Sequence, residues 1–342
     1  TAVESQGPHD HLARLAQHAG VEHVVVPEPL DWAGGMDALL AAQAGPVGGP
    51  EALALALAAG PAAAAGAVVM AGVGGEEGFG GGRAVRRAEQ VRRYRRLPGL
   101  VREGTEVWAR LGRGRFADAL GHLIGSQRLA PVELYARTVS RVQPEARADL
   151  YTPEALAVLG EAHPWAPLTA LFAEAAQAGA VEVGDVMHYV ELVLGLPARV
   201  VAAGAACPGL DLRLPLADHR LAHLLASAPA GERGSALLGQ RVLRTAMSDL
   251  VPAAVLRRPH VPFAPPPAAW RDGALGALVE ETLAPARLAA DGVFRPEEVA
   301  RLRAEHASGR RDHGACLWAI LLATRWLARR APVAAPSWRA AG

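Results

Sequence analysis

The residues best placed to do chemistry are two adjacent carboxylates, Glu76 and Glu77, within a glycine-rich run over residues 71–82. Glycine has no Cβ, so its backbone amide can approach a phosphate closely. Carboxylates beside a phosphate make chemical sense when a cation lies between them, and Mg²⁺ prefers such oxygen ligands. The run therefore predicts a phosphate site with Mg²⁺. The alternative is a glycine-rich loop whose acids are simply solvated.

Two other phosphate-binding patterns do not fit this run. It lacks the Gly-Lys-Ser/Thr ending of a Walker loop, and its glycine spacing does not match a dinucleotide-binding fingerprint. The run follows residues 67–71, which are continuously apolar, as expected of a strand in a parallel sheet covered on both faces. Because ligands bind beyond the carboxyl ends of such strands, the position of the run favours a ligand site.

Helix and strand patterns alternate in the first 90 residues. Residues 11–19 have helical spacing, residues 21–26 form a β-branched run typical of a strand, and two helical stretches precede the strand at 67–71. This alternation predicts an α/β domain with a parallel sheet over residues 1–90. From Arg83 onward the patterns are almost wholly helical, so residues 91–342 are predicted to form a mainly helical part.

Composition limits the classes of function. The 35 basic residues, all arginine, nearly balance 34 acidic ones, so no overall field recruits nucleic acid or an anionic membrane. No apolar run reaches membrane-spanning length. Cys207 and Cys316 lie far apart and fit no metal-ligand spacing, which predicts reduced thiols in a cytoplasmic protein.

A dense stretch of arginines over residues 83–96 could bind phosphate or RNA. RNA-binding surfaces combine basic residues with aromatic side chains, and Tyr94 is the one aromatic in this stretch. We therefore favour a solvated helix face near a nucleotide site.

Residues 71–82 resemble, position for position, the run Ser-Gly-Glu-Gly-x-Asp-Glu-Leu-Phe-Gly-Gly-Tyr of asparagine synthetases. Residues 46–50 resemble their Asp-Glu-Pro-Val-Gly-Asp-Pro segment, and residues 211–219 resemble Glu-Val-Arg-Val-Pro-Leu-Leu-Asp-His. Residues 258–263 resemble Arg-Pro-Lys-x-Gly-Phe. These stretches stand in family order, so the chain is similar to the C-terminal synthetase part of glutamine-dependent asparagine synthetases, whose relatives include β-lactam synthetases and lasso peptide macrolactam cyclases.

The resemblance implies an ATP-pyrophosphatase (HUP-like) parallel sheet followed by helices. It also implies a ligase that uses ATP and Mg²⁺ to activate a carboxylate substrate as an acyl-adenylate. Ammonia or an amine donor then attacks the adenylate to form an amide.

The resemblance assigns roles to particular residues. Those expected to border ATP or hold its Mg²⁺ are Gly72, Gly74, Gly75, Glu76 and Glu77. Those expected to act in catalysis are Asp211, near the incoming amine, and Arg258 and His260, facing pyrophosphate.

Several positions depart from the family pattern. Val73 replaces the first Glu, and Gln240 and His260 replace lysines. The family's pyrophosphate loop would precede residue 1, so we expect that loop, and a glutaminase domain, to be supplied upstream or by another chain. Two interpretations stay open: an amide-forming ligase, in primary or secondary metabolism, and a catalytically degenerate homologue that acts as a binding or scaffold subunit.

Overall fold

A computed structural model describes residues 10–25, 31–43, 45–46, 48–64, 66, 68–112, 115–160, 165–228, 230–233, 239–258, 265 and 267–329. Within these ranges the protein contains twenty α-helices and one two-stranded parallel sheet. The described chain is therefore mostly helical.

The part before residue 96 contains four helices and one strand: α1 (Asp10–Ala19), α2 (Trp32–Ala41), α3 (Pro50–Ala64), β1 (Val69–Met70) and α4 (Arg83–Arg95). The middle of the chain contains α5 (Gly99–Leu111), α6 (Arg115–Ser126), α7 (Pro131–Val139), α8 (Arg147–Leu150), α9 (Pro153–Leu159), α10 (Ala166–Gln177), α11 (Val183–Val190) and α12 (Leu196–Ala206).

The remaining elements are β2 (Leu212–Arg213), α13 (His219–Ala226), α14 (Ala230–Arg233), α15 (Arg241–Ala246), α16 (Ala253–Leu256), α17 (Gly273–Thr282), α18 (Pro285–Asp291), α19 (Pro296–Ala307) and α20 (Gly314–Arg329). Strand β1 pairs with β2, placing Val69 opposite Leu212 and Met70 opposite Arg213. The predictions of a parallel sheet and of a helical second part are thus confirmed, but the sheet joins segments that are distant in sequence.

The strand predicted over residues 21–26 is not formed at residues 21–25, and Val26 lies outside the described residues. Val21, Val24 and Val25 are 61%, 60% and 55% exposed. A strand needs a neighbour for its backbone N–H and C=O groups, and no described strand pairs with this segment. The strand partner of β1 lies at residues 212–213, so the α/β layering predicted within residues 1–90 is not confirmed among the described residues.

The largest core joins α2 to helices from the other end of the chain. Met36 is fully buried there against Leu275 of α17 and Leu321 of α20. An ion pair between Arg325 and Asp37, at 2.6 Å, ties α20 to α2 at the edge of this core. The division into parts at residue 90 stays a prediction, because the core is shared across it.

Helices α11 and α12 run on as one helix, because a π-helical turn over Glu191–Gly195 joins them. By length and composition the helix Val183–Ala206 could cross a membrane, a property that core helices share. Here Met187 and Val190 are buried against α4 and α7, and Ala202 and Ala205 pack in the core that contains α3. The π-helical turn in the middle of this helix therefore lies beside the glycine-rich run.

Candidate functional site

The glycine-rich run forms a compact series of turns at the carboxyl end of β1. The amide of Ala71 donates to the carbonyl of Arg213 at 3.0 Å, and the turns begin two residues later. The amide of Gly78 then donates to the carbonyl of Gly74 at 2.9 Å, closing the run on itself. The run thus occupies the position at which parallel sheets bind ligands, as its sequence predicts.

Gly74 is a position at which this run requires glycine for two reasons. Its φ is +97°, and a Cβ there would lie 2.6 Å from the carbonyl oxygen of Leu216. The neighbouring Gly75 is held from the other side, because the side-chain amide of Gln240 donates to its carbonyl at 2.9 Å. Gln240, which replaces a family lysine, therefore fixes the run.

We expect Gly74→Ala to lower the free energy of unfolding by roughly 2–4 kcal/mol, because the positive φ and the close backbone both oppose a methyl group. Gly72→Ala is the matched control, since no atom lies within 4 Å of its Cβ position. Gly72→Ala should lower the free energy of unfolding by less than about 1 kcal/mol. Urea denaturation followed by circular dichroism measures both. Equal losses would show that the run is not packed on Leu216.

Three carboxylates and one arginine meet beside the run. Glu77 is buried and forms an ion pair with Arg199 at 3.0 Å from Nε, and the more exposed Glu76 lies 3.4 Å from the same guanidinium. Glu191 completes the cluster from the π-helical turn. Burial, and then the charge of Glu77, raise the pKa of Glu191 to about 7, although a hydrogen bond from Tyr135 and the charge of Arg199 oppose the rise.

Two glycines leave the space that Glu191 occupies. A Cβ at Gly195 would lie 2.6 Å from one carboxylate oxygen of Glu191, and a Cβ at Gly82 would lie 3.2 Å from the other. The hydroxyl of Tyr135 is buried against this carboxylate, and burial together with the charge of Glu191 raises the pKa of Tyr135. The carboxylate of Glu191 is therefore held in one position, and π-helical turns of this kind are frequent at functional sites.

We expect Glu191→Gln to raise the free energy of unfolding at pH 8 by up to about 3 kcal/mol, and to change it little at pH 4. The folded-state pKa is about 7, above the unfolded value. Burial therefore favours the protonated carboxyl, and its contribution to stability is present below about pH 4.5 and is lost as the pH rises through 7. Denaturation at both pH values measures the effect. A variant that matches the wild type at pH 8 would contradict this electrostatic arrangement.

A cavity of about 390 Å³ adjoins the cluster. It brings together segments that are far apart in sequence, namely residues 48–49 before α3, Val73 of the glycine-rich run, and Arg141 and Arg199. Burial, and then the charges of Arg83 and Arg199, lower the pKa of Arg141. The cavity thus has two arginines in its wall, with Glu51 also lining it and partly offsetting the charge at Arg141, and it has the size of a small-molecule site.

The other residues selected from the sequence lie elsewhere. The carbonyl of Asp211 accepts from Val69 at the amino end of β1, and its carboxylate accepts two bonds from Arg213, which lower the pKa of Asp211. Arg258 is exposed and donates to the ring of His11. Neither Asp211 nor Arg258 lines the cavity. His260 lies outside the described residues, so the roles expected of all three stay predictions.

Sequence reasoning did not select Tyr135, Glu191 or Arg199 for the site. They come from α7, the π-helical turn and α12, and no local spacing connects them to residues 71–82. The sequence contains one weak indication of this site, the glycines at positions 82 and 195, which leave room for the side chain of Glu191.

Glu76 and Glu77 are the candidate Mg²⁺ ligands of this cluster. Among the described residues, no three His, Cys, Asp or Glu side chains form a complete metal site. Mg²⁺ at a nucleotide site needs only one or two carboxylates, because phosphate oxygens and water supply the rest. The side chain of Glu76 is 22% exposed and reachable, and a cation would relieve the negative charge that raises the pKa of Glu191. The residues therefore fit Mg²⁺ carried in with a nucleotide.

A glycine-rich turn after a parallel strand, beside a cluster of carboxylates and a basic cavity, defines a candidate phosphate-binding protein. The chain belongs to the asparagine synthase family, whose model matches residues 7–328. The resemblance inferred from the motifs is thereby confirmed.

Proteins of Mycobacterium bovis and Mycobacterium tuberculosis, provisionally named glutamine-hydrolysing asparagine synthetases, are 31% identical to it over 118 residues. The matched stretch covers 34% of this chain and 18% of each relative, so the chain matches less than a fifth of their length. No solved structure matches the chain significantly.

Proposed function

We propose that this chain is the synthetase part of an ATP-dependent ligase that joins a carboxylate to ammonia or an amine through an acyl-adenylate. Family membership supports this class of reaction. The observation that carries the proposal is the arrangement at the glycine-rich run, where the carboxylates of Glu76 and Glu77 adjoin a cavity with Arg141 and Arg199 in its wall. A nucleotide site of this kind needs carboxylates that hold Mg²⁺ and guanidinium groups that bind the phosphate oxygens directly.

ATP and Mg²⁺ are the proposed cofactors. Gly72, Gly74 and Gly75 would border ATP, and Glu76 and Glu77 would hold Mg²⁺. Bound Mg²⁺ supplies positive charge that stabilises pyrophosphate as it leaves. The chain has no lysine, so fixed positive charge for this step has to come from arginine, and the cavity walls offer it without reorganisation.

We propose that Glu191 moves the proton of the amine: its carboxylate does not itself line the cavity, but it lies against Gly195, which does. A carboxyl with a pKa of about 7 exists in both protonation states at neutral pH, which suits a general base. In the proposed step the amine nitrogen bonds to the acyl carbon, the bond from that carbon to the AMP oxygen breaks, and Glu191 accepts the nitrogen's proton. Tyr135 keeps the carboxylate oriented by its hydrogen bond.

The free edge of β1 supports a partner segment. Val68 and Met70 are 55% and 71% exposed, and β1 pairs only with β2 among the described strands. Exposed apolar strand edges readily pair with further strands. We therefore propose that a strand of a partner segment pairs with β1. On the family resemblance, we also propose that an upstream portion or another chain supplies the pyrophosphate-binding loop and an ammonia-producing glutaminase. The free thiols of Cys207 and Cys316 are consistent with the proposed cytoplasmic location.

A binding or scaffold subunit is the second candidate function. Two observations favour it: Val73, which cannot carry charge, lines the cavity, and Arg199 already compensates Glu76 and Glu77. Such a protein would bind a nucleotide or partner without turning it over.

The two candidates separate in one assay on the protein encoded by the whole gene. It is incubated with ATP, Mg²⁺, ammonia and a panel of carboxylates that includes aspartate and peptides. The ligase releases AMP and pyrophosphate in equal amounts, and only when a carboxylate is present. ATP binding without release of AMP or pyrophosphate would support the scaffold. Release of AMP and pyrophosphate at the same rate with and without a carboxylate would contradict the ligase.

A further inference from the structure

Helix α5 has an apolar face that is open to solvent. Leu100, Val107 and Leu111 are 84%, 54% and 78% exposed, and Gly104 between them is exposed as well. These four positions follow one another at intervals of four, three and four residues, so they form one stripe along the helix. Contiguous apolar surface of this kind is typical of interaction sites. We refer to it as the α5 stripe.

The opposite face of α5 is fixed within the protein. The hydroxyl of the buried Tyr94 on α4 donates to the carbonyl of Arg102 at 3.2 Å and lies 2.7 Å from the hydroxyl of Thr105. Helix α5 also packs along α6. The α5 stripe is therefore the outward side of a helix whose inner side is already in use.

The two edges of the α5 stripe differ in chemistry. Val101 and Trp108 lie along one edge and are 46% and 43% exposed. Glu103 lies along the other edge, and the helical repeat places position 110, an arginine, on that same edge seven residues later. One edge is therefore apolar, and the other has an acid near the beginning of the helix and a base near its end.

We propose that the α5 stripe binds the α5 stripe of a second copy of this chain, with the two helices antiparallel about a two-fold axis at right angles to them. Leu100 then packs on the partner's Leu111. Val107 packs on the partner's Gly104, where a Cβ would meet no described atom within 4 Å, so the helices can approach closely. Each contact occurs twice, as the symmetry of such a dimer requires.

The edges of the stripe favour a copy of the same helix in this direction. In an antiparallel pair each edge faces the equivalent edge of the partner, so Glu103 meets the partner's Arg110 and Val101 meets the partner's Trp108. In a parallel pair the charged edge would face the apolar edge, and Glu103 would have no basic partner. The antiparallel dimer therefore satisfies charge with charge on one edge and apolar surface with apolar surface on the other.

The length of α5 limits the affinity of this dimer. The helix has 13 residues and is about 20 Å long, so one helix pair buries less than the roughly 800 Å² per partner of stable complexes. We therefore expect a reversible dimer with a Kd of about 10–100 μM. The proposal does not rest on the ligase function.

Sedimentation equilibrium of the purified full chain, from about 5 to about 200 μM, tests the proposal. The wild type should pass from monomer to dimer over this range. Leu111→Lys should stay monomeric, because it places an ammonium group opposite Leu100 in both symmetry-related contacts. Leu224→Lys on α13 is the matched control, since Leu224 is a helical leucine that is 66% exposed and lies outside the stripe. It should dimerise as the wild type does.

Exchange of the two charges tests the direction of pairing. Glu103→Arg and Arg110→Glu should each raise the Kd about tenfold, because each turns two symmetry-related ion pairs into like-charge pairs. The double variant restores opposite charges and should return the Kd to within about threefold of the wild type. A wild type that is monomeric throughout, as expected if another polypeptide covers α5, would overturn the proposal. Dimerisation that survives Leu111→Lys, or a double variant no tighter than the single variants, would do the same.

Discussion

Glu191→Gln is expected to lower amide formation by about 100- to 10,000-fold while leaving the affinity for ATP within about twofold, as expected for loss of a general base. Glutamine keeps the shape of the side chain and can still accept the hydrogen bond from Tyr135, but it cannot take a proton. The affected step is the attack of the amine, which follows formation of the adenylate. Carboxylate-dependent ATP–pyrophosphate exchange should therefore survive in this variant.

The dependence of the rate of amide formation on pH distinguishes a general base from a residue with only a structural role. Burial keeps the pKa of Glu191 raised even where Mg²⁺ offsets the charge of Glu77, so the rate of amide formation should rise with pH as the base loses its proton, at a pH below 7 when Mg²⁺ is bound. Glu191→Gln should remove that limb. Glu133→Gln on α7, whose carboxylate pairs with Arg137, is the control and should keep the wild-type profile. An unchanged limb in Glu191→Gln would place the proton transfer elsewhere.

Glu77→Gln is expected to lower Mg²⁺-dependent turnover by at least 100-fold, or several kcal/mol of transition-state stabilisation. Glu77 is 5% exposed and lies between Arg199 and Glu191. The substitution removes a proposed Mg²⁺ ligand and leaves Arg199 without its closest partner. Initial rates measured against Mg²⁺ concentration separate these effects, because a lost ligand raises the Mg²⁺ concentration needed for half-maximal rate.

Arg199→Gln provides the second arm of this experiment. It removes the guanidinium that compensates both Glu76 and Glu77, but leaves every proposed metal ligand in place. The Mg²⁺ concentration needed for half-maximal rate should equal that of the wild type or be lower, because the competing guanidinium is gone. If Glu77→Gln and Arg199→Gln behave alike, Glu77 acts only as the partner of Arg199 and the metal site lies elsewhere.

The glycine-rich run was predictable from the sequence because its determinants are local. Positive φ angles at Gly74 and Gly80 and the preceding apolar strand are properties of adjacent residues. The helical second part was predictable for the same reason, since apolar side chains at helical spacing, as in α19 and α20, are a local signal.

Other features depend on contacts that no local pattern contains. Residues 21–25 have the composition of a strand, but their structure depends on whether a neighbouring strand is present. The helix that begins at Val183 continues past Pro197 to Ala206, because a π-helical turn accommodates that proline, which lacks a backbone donor. That same turn brings Glu191 to Glu77, so the most perturbed carboxyl of the site could not be identified from spacing.

The central claim, that a carboxylate is activated as an acyl-adenylate, is tested most directly by isotope transfer. The whole-gene protein is supplied with ATP, Mg²⁺, ammonia and a carboxylate substrate labelled with ¹⁸O in both oxygens, and the products are analysed by mass spectrometry. Attack of the amine on the acyl carbon leaves one carboxylate oxygen on AMP, so the account predicts one ¹⁸O in each AMP formed. Label in inorganic phosphate with ADP as the other product, or AMP without label, would contradict it.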